Sequence, residues 1–169
     1  MGNGHLLQRS GTSLRAAQYP RCRVCIPNPS QTALTDKISY SPIGRGMLSG
    51  QITKPEDIPE DDFRKTIPRF QGQNFEKNLE LVRELEKIAK KKGCTPAQLA
   101  INWVKGLSKK DGNPEIFPIP GASSSQRVEE NTKDVSLSKD DVAQIESILQ
   151  SFTVAGGRYG GHAAELVEG

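Results

Sequence analysis

Two short β-prone runs, Lys37-Ile38-Ser39-Tyr40-Ser41 and Glu115 to Gly121, stand far apart in the chain, and most of what separates them has helical character. A connection of that length filled by helix cannot be a hairpin. It is the crossover that parallel neighbouring strands require, so the chain reads as α/β rather than all-α. The full order is strand, loop, helix, helix, strand, helix, helix, without internal repeats.

The helices announce themselves by caps and stripes. Asn74 is placed to cap a helix whose apolar residues Phe75, Leu79, Val82, Leu85 and Ala89 keep helical spacing, and Lys90, Lys91 and Lys92 fill its last turn before Gly93. Thr95-Pro96-Ala97-Gln98 joins a capping-box pair to a proline at the first helical position, and Leu99, Trp103, Val104 and Leu107 continue one face. Trp103 on that stripe reads as core. Lys109 to Pro114 is a turn by composition. A third helix opens between Ser123 and Asn131, and Ser138 caps a fourth with Val142, Ile145, Ile148 and Leu149 facing inward. The segment Gln51 to Gln73, carrying Pro55, Pro59 and Pro68, has no period and is long for a connection, a length that invites the reading of a functional lid.

Size and composition bound the rest. The chain has 169 residues, against the ~250 typical of a closed (β/α)8 barrel. No apolar run approaches the ~20 residues of a membrane span, so a soluble, cytoplasmic protein with no membrane partner is expected. A net charge of +3 is too small to imply nucleic acid. Cys22, Cys25 and Cys94 lack the second pair or the histidines of a zinc site, which leaves free thiols in a reducing compartment and no metal. Residues 1–35, with Pro20, Pro27 and Pro29 and no sustained period, read as an irregular or disordered arm. The arm's arginines and serines also fit a transit peptide in composition. An ordered domain is expected over residues 36–169.

Two segments carry chemistry. Ile119-Pro120-Gly121-Ala122-Ser123-Ser124-Ser125-Gln126-Arg127 sets a glycine, three hydroxyls and an arginine between a strand end and a helix start. Unpaired backbone N–H groups and the positive end of the helix dipole favour a phosphate there, and an arginine fork suits it. The plainer alternative is a capping serine cluster beside a solvated arginine. Tyr40-Ser41-Pro42-Ile43-Gly44-Arg45-Gly46 places an aromatic ring and a glycine turn at the other strand end, where α/β sheets keep their ligands. By itself that segment equally fits an ordinary strand-to-loop transition.

These same segments resemble the aldo-keto reductase family. Tyr40 to Gly50 is similar to its YSPLGRGFLTG stretch, Pro68-Arg69-Phe70 and Gly93 to Ala100 to its following loop and helix, and Ile119 to Asn131 to its phosphate loop ending in R-x-E-E-N. The resemblance runs from about Ile38 to Leu149 and is strongest to the fungal and plant branch with pyridoxal reductase-like members, a tail of the type seen at Gly156 to Tyr159 included. It implies a partial (β/α)8 TIM barrel, the last two βα units plus the C-terminal helix, in an NADP-dependent oxidoreductase acting on aldehydes or ketones. It further implies that Tyr40 stacks on nicotinamide, that Ser41, Ile43 and Gly44 follow the pyrophosphate, and that Gly121, Ser123 and Arg127 take the adenosine 2′-phosphate. Glu130 and Asn131 would read the adenine, and Arg69 would add a phosphate contact.

The family's catalytic Tyr, Asp, Lys and His belong to strands before the matched segment, and Tyr19, His5 and His162 sit in no such motif. No catalytic residue is therefore assigned. The implied partners are NADPH and, with the rest of a barrel, a small carbonyl substrate. The alternative is a catalytically inactive nucleotide-binding or interaction module. Two strands cannot close a barrel, so self-association of the isolated chain is expected.

Overall fold

The computed structural model describes residues 37–108 and 110–160. The arm, with His5, Tyr19, Cys22 and Cys25, and the tail residue His162 lie outside them.

Strand β1 (Lys37–Tyr40) pairs in parallel with β2 (Ile116–Ile119), in the register Lys37 with Ile116 through Tyr40 with Ile119. Side chains alternate across a strand, so Ile38 and Tyr40 share one face with Phe117 and Ile119. That face is open: Ile38 is 61%, Phe117 47% and Ile119 53% exposed. The sheet is buried on one face only, where Ile116 and Ser39 turn toward the helices.

The crossover is α1 (Gly72–Lys92) followed by α2 (Pro96–Gly106). Helix α1 begins before the expected cap. Asn74 lies inside its first turn and donates to the Pro68 carbonyl at 3.1 Å, while Gln71 stands at the cap position with its side chain donating to Lys65 O rather than capping the helix. It stops at Gly93, whose left-handed φ of 67° lets its N–H reach the Ala89 and Lys90 carbonyls. Helix α2 starts on the capping box foreseen, with the Thr95 hydroxyl accepting from Gln98 N and the Gln98 side chain accepting from Thr95 N. Helices α3 (Ser125–Thr132) and α4 (Lys139–Ser151) complete the order, and Ser138 and Asp141 cap α4 reciprocally.

Two apolar clusters hold these elements. Leu85, Ile88 and Ala89 of α1, Leu99, Trp103 and Val104 of α2, Ile116 of β2 and Ile145 of α4 form one. The other contains Ile52, Ile58, Ile67 and Phe70 against Phe75, Leu79 and Val82 of α1. Four of its members come from the aperiodic Gln51–Gln73 segment, which the lid reading treated as movable. That segment is instead a chain of 3-10 turns with buried anchors, and Ile67 at 1% exposure cannot swing away without uncovering core. Leu48, in the turn Gly44–Ser49 after β1, packs against both clusters.

Beyond α4 the chain folds back over β1. Buried Asn78 of α1 holds it: its amide nitrogen donates to Ala155 O at 2.9 Å and to Arg69 O at 3.1 Å, and its oxygen accepts from Ala155 N at 2.8 Å. Gly156 then passes so close to Pro68 and Arg69 that a Cβ there would stand 2.8 Å from their backbone atoms. Only glycine allows this approach.

Candidate functional site

Because the strands are parallel, their C-terminal ends emerge on the same side, and the two segments singled out above meet there. Ser41, Ile43, Gly121, Ser123, Arg127 and Asn131 line one cleft of about 560 Å³, together with Arg45, Gly46, Ser49, Gln51, Asp57, Arg64 and Ala97 among others. Tyr40 and Gly44 border an adjoining apolar cavity of about 620 Å³, which Ser41 and Arg45 also reach. Glu130 borders neither.

At the β2 end, the cap of α3 is Ser124, whose hydroxyl accepts from Arg127 N at 3.3 Å. The cap thus does not draw on Ser123. Arg127 is not a solvated arginine: its Nη1 meets the Glu130 carboxylate at 2.5 Å, both side chains being less than a third exposed. The pair engages one of five guanidinium N–H groups and fixes the plane of the fork. Asn131 is buried and donates to Gly121 O at 3.3 Å, which closes the loop over ten residues. Gly121 has no positive φ, and a Cβ there would meet nothing within 4 Å, so the fold itself does not require glycine at this position. Helix α2 braces the far side, Gln98 donating to Glu130 O at 3.2 Å and Asn102 to Lys133 O at 3.0 Å.

At the β1 end, Ser41 (φ 51°) and Arg45 (φ 56°) are the non-glycine residues with positive φ among those described, and both border the cleft. Such backbone is costly and concentrates at functional sites. Arg64 props the turn: its Nε and Nη2 hold both oxygens of Asp62 at 2.9 and 2.6 Å, and its Nη1 donates to Arg45 O at 3.2 Å. The Arg64 guanidinium, by its hydrogen bonds, keeps the Asp62 carboxyl down at about 2.

The returning tail meets Tyr40. The Arg158 guanidinium lies 4.1 Å from the Tyr40 ring centroid and donates to Tyr40 O at 3.1 Å, and the Tyr159 hydroxyl stands 3.5 Å from that of Tyr40. The Tyr159 hydroxyl is held below its ordinary value, first by the Tyr40 hydroxyl and then, against burial, by hydrogen bonding to Arg45. Arg45 itself is stacked between Tyr159 at 4.6 Å and Phe63 at 5.6 Å.

Arg69 borders the apolar cavity with Tyr40 and Gly44, and its Nε donates to Gly156 O of the returning tail at 3.1 Å. Cys94 is a free thiol, half-buried, and burial pushes it up despite Lys92 and Lys133 nearby. Among the described residues no cluster of metal-ligating side chains gathers and no helix is long and apolar enough to cross a membrane. Sequence reasoning missed Arg45 and Arg64 on the cleft and the contacts of Arg158 and Tyr159. Arg45 stood inside a quoted motif, whereas Arg64 carried no local signal.

The sequence over these elements is similar to that of known proteins. The profile described as the aldo/keto reductase family matches residues 36–150. The chain is 43% identical over 124 residues to the aldo-keto reductase yakc of Schizosaccharomyces pombe, whose name specifies NADP(+), covering 72% of this chain and 35% of that one. It is 35% identical over 133 residues to the aldo-keto reductase str7 of Strobilurus tenacellus, covering 78% and 38%. A Saccharomyces cerevisiae protein provisionally named a pyridoxal reductase is 41% identical over 131 residues, covering 72% and 38%. The chain thus spans little more than a third of the length of these relatives. By that profile match and these identities, the chain belongs to the aldo/keto reductase family.

Proposed function

We propose that residues 36–169 correspond to the last two βα units and C-terminal helix of an aldo-keto reductase barrel, and that they bind NADP(H). The observation that carries this reading is the meeting of Ser41 and Ile43 with Gly121, Ser123, Arg127 and Asn131 around one cleft at the C-terminal ends of parallel strands. The donor set fits a phosphorylated dinucleotide. Arg127 provides a planar fork already oriented by Glu130, Ser123 provides a hydroxyl outside the helix cap, and Gly121 leaves room for close approach where the fold does not call for it. When bound, the dinucleotide supplies the hydride for carbonyl reduction in the completed barrel.

The chain's own residues orient that cofactor. The cation requirement of a 2′-phosphate falls on Arg127, and the nicotinamide end falls toward Tyr40, whose ring is fixed by Arg158. Asn131 holds the loop shut through Gly121 O. The exposed face of Ile38, Phe117 and Ile119 suits the inner wall of a barrel and awaits further strands.

A second reading, a nucleotide-binding module with no turnover of its own, is favoured by one observation. The described residues contain no histidine, and their tyrosines, Tyr40 and Tyr159, are engaged with each other and with Arg158 and Arg45. Both readings share the test of cofactor choice. NADPH should bind more tightly than NADH in calorimetric titrations, and Arg127→Ala should erase most of the difference, a charge-assisted contact being worth ~1.5 to 3 kcal/mol. Equal affinities of the intact chain for the two nucleotides would overturn the assignment.

A further inference from the structure

We infer that the apolar cavity behind the sheet is a second binding site, suited to a small amphipathic molecule: an aliphatic body that carries one carboxylate. The inference stands apart from the nucleotide cleft and from its assignment.

The cavity's place in the fold separates it from that cleft. Ser39, whose side chain turns toward the helices, borders it, whereas Ile38, Phe117 and Ile119 of the open sheet face do not. It therefore lies between β1 and the helices, on the side of the sheet that faces the outer helical layer of a βα fold. Helices α1, α2 and α4 supply most of its wall, and the returning tail adds Phe152 and Val154. At about 620 Å³ it has the size of a small-molecule pocket and far exceeds the voids that a packed interior tolerates. Water fills such a space poorly, because aliphatic walls offer it few of the hydrogen-bond partners it needs. An apolar body is the filling those walls favour.

The charged groups are few and of one sign. The described residues lining the cavity include three arginines, Arg45, Arg69 and Arg158, and no Asp or Glu. One stands on the turn after β1, one on the 3-10 run before α1 and one on the tail, so their positive field converges on a single space. Apolar walls focus that field. Hydrogen bonding adds an independent mark. Among the described residues two buried side-chain atoms lack a hydrogen-bond partner, Trp103 Nε1 and Arg45 Nη1, and both belong to residues of this wall. Trp103 is only 7% exposed, and an indole N–H at that depth normally has an acceptor. A carboxylate supplies the negative charge and the acceptor oxygens that the wall lacks, and an alkyl chain supplies the apolar contacts.

Trp103 is the only tryptophan of the chain, so its emission reports on the cavity directly. Decanoate, decanol and decylammonium share an alkyl chain and differ in charge. Each is titrated into the full chain below its micellar range, by calorimetry and by Trp103 fluorescence. The expected result is saturable binding of decanoate with a shift in emission, about tenfold tighter than decanol, with decylammonium weakest. Ala100→Phe, at a position that borders the cavity and not the cleft, should abolish that binding without lowering the melting temperature. Trp103→Phe keeps an aromatic body and removes the N–H, so calorimetry should show decanoate weakened roughly fivefold. The inference is overturned by an absence of saturable decanoate binding, or by equal affinity for all three chains, which is unselective hydrophobic uptake. Decanoate binding that survives Ala100→Phe would place the site elsewhere and overturn it as well. An affinity that falls as chain concentration rises would give the cavity to a second copy instead.

Discussion

Asn78 is the sharpest place to test how the returning tail is held. Its amide makes two hydrogen bonds to the Ala155 backbone and one to Arg69 O, all from a side chain 2% exposed. Asn78→Ala removes both tail bonds and leaves the Ala155 N–H and carbonyl without partners. At about 1 kcal/mol net for each bond the tail loses roughly 2 kcal/mol of anchoring, which raises its released population ~30-fold. Release exposes the Arg158–Tyr159 peptide bond to trypsin. Where opening and closing are fast relative to cleavage, the rate follows the released population, so cleavage after Arg158 should accelerate by about that factor while cleavage after Lys133 stays at the parent rate. Mass spectrometry of timed digests reads both sites at once. A rate at Arg158 within about threefold of the parent, or an equal acceleration at every site, would refute the argument: the first makes the anchor weak, and the second makes the loss global rather than local.

The chain alone should reduce a reactive aromatic aldehyde only at background rate with saturating NADPH, and Tyr40→Phe should change nothing, since positioned general acid catalysis is worth roughly 10²- to 10⁴-fold. Family-like turnover abolished by substituting Tyr19 or His5 would overturn that. Sedimentation should show concentration-dependent association, and Phe117→Lys on the open sheet face should reduce it; a monodisperse monomer of the parent chain would contradict the expectation. Acid sensitivity follows from Asp62. Its folded-state value of about 2 lies below the ordinary 3.8, so the Arg64 pairing stabilises above that ordinary value and is lost as pH falls toward 2. Melting temperatures across that window should decline less steeply in Asp62→Asn.

What local chemistry controls was legible. Thr95 with Gln98 and Ser138 with Asp141 satisfy helix N–H groups through residues three apart, and both caps stand where the sequence put them. The parallel pairing followed from the length and helical content of the crossover. Features set by distant contacts were not legible. Asn74 is a good capping residue in isolation, yet Pro68 O draws its side chain away, and the helix starts earlier. Ile52, Ile58, Ile67 and Phe70 are core residues without a period, because 3-10 turns deliver them one by one. In the candidate site, the i,i+3 spacing of Arg127 and Glu130 already allowed their pairing, which the family resemblance obscured by giving each a ligand. Arg45 and Tyr159 meet only after nearly the whole described chain has folded back, so no local pattern could connect them.

The position of Leu48 gives the turn that carries Arg45 a mechanical reach. One side chain on Gly44–Ser49 touches both apolar clusters, and α1 belongs to both. A nucleotide that tightens this turn therefore stiffens a helix contributing no side chain to the cleft. Amide exchange along α1 should slow in step with occupancy, so that a helix on the far side of Leu48 reports the ligand as faithfully as the residues touching it.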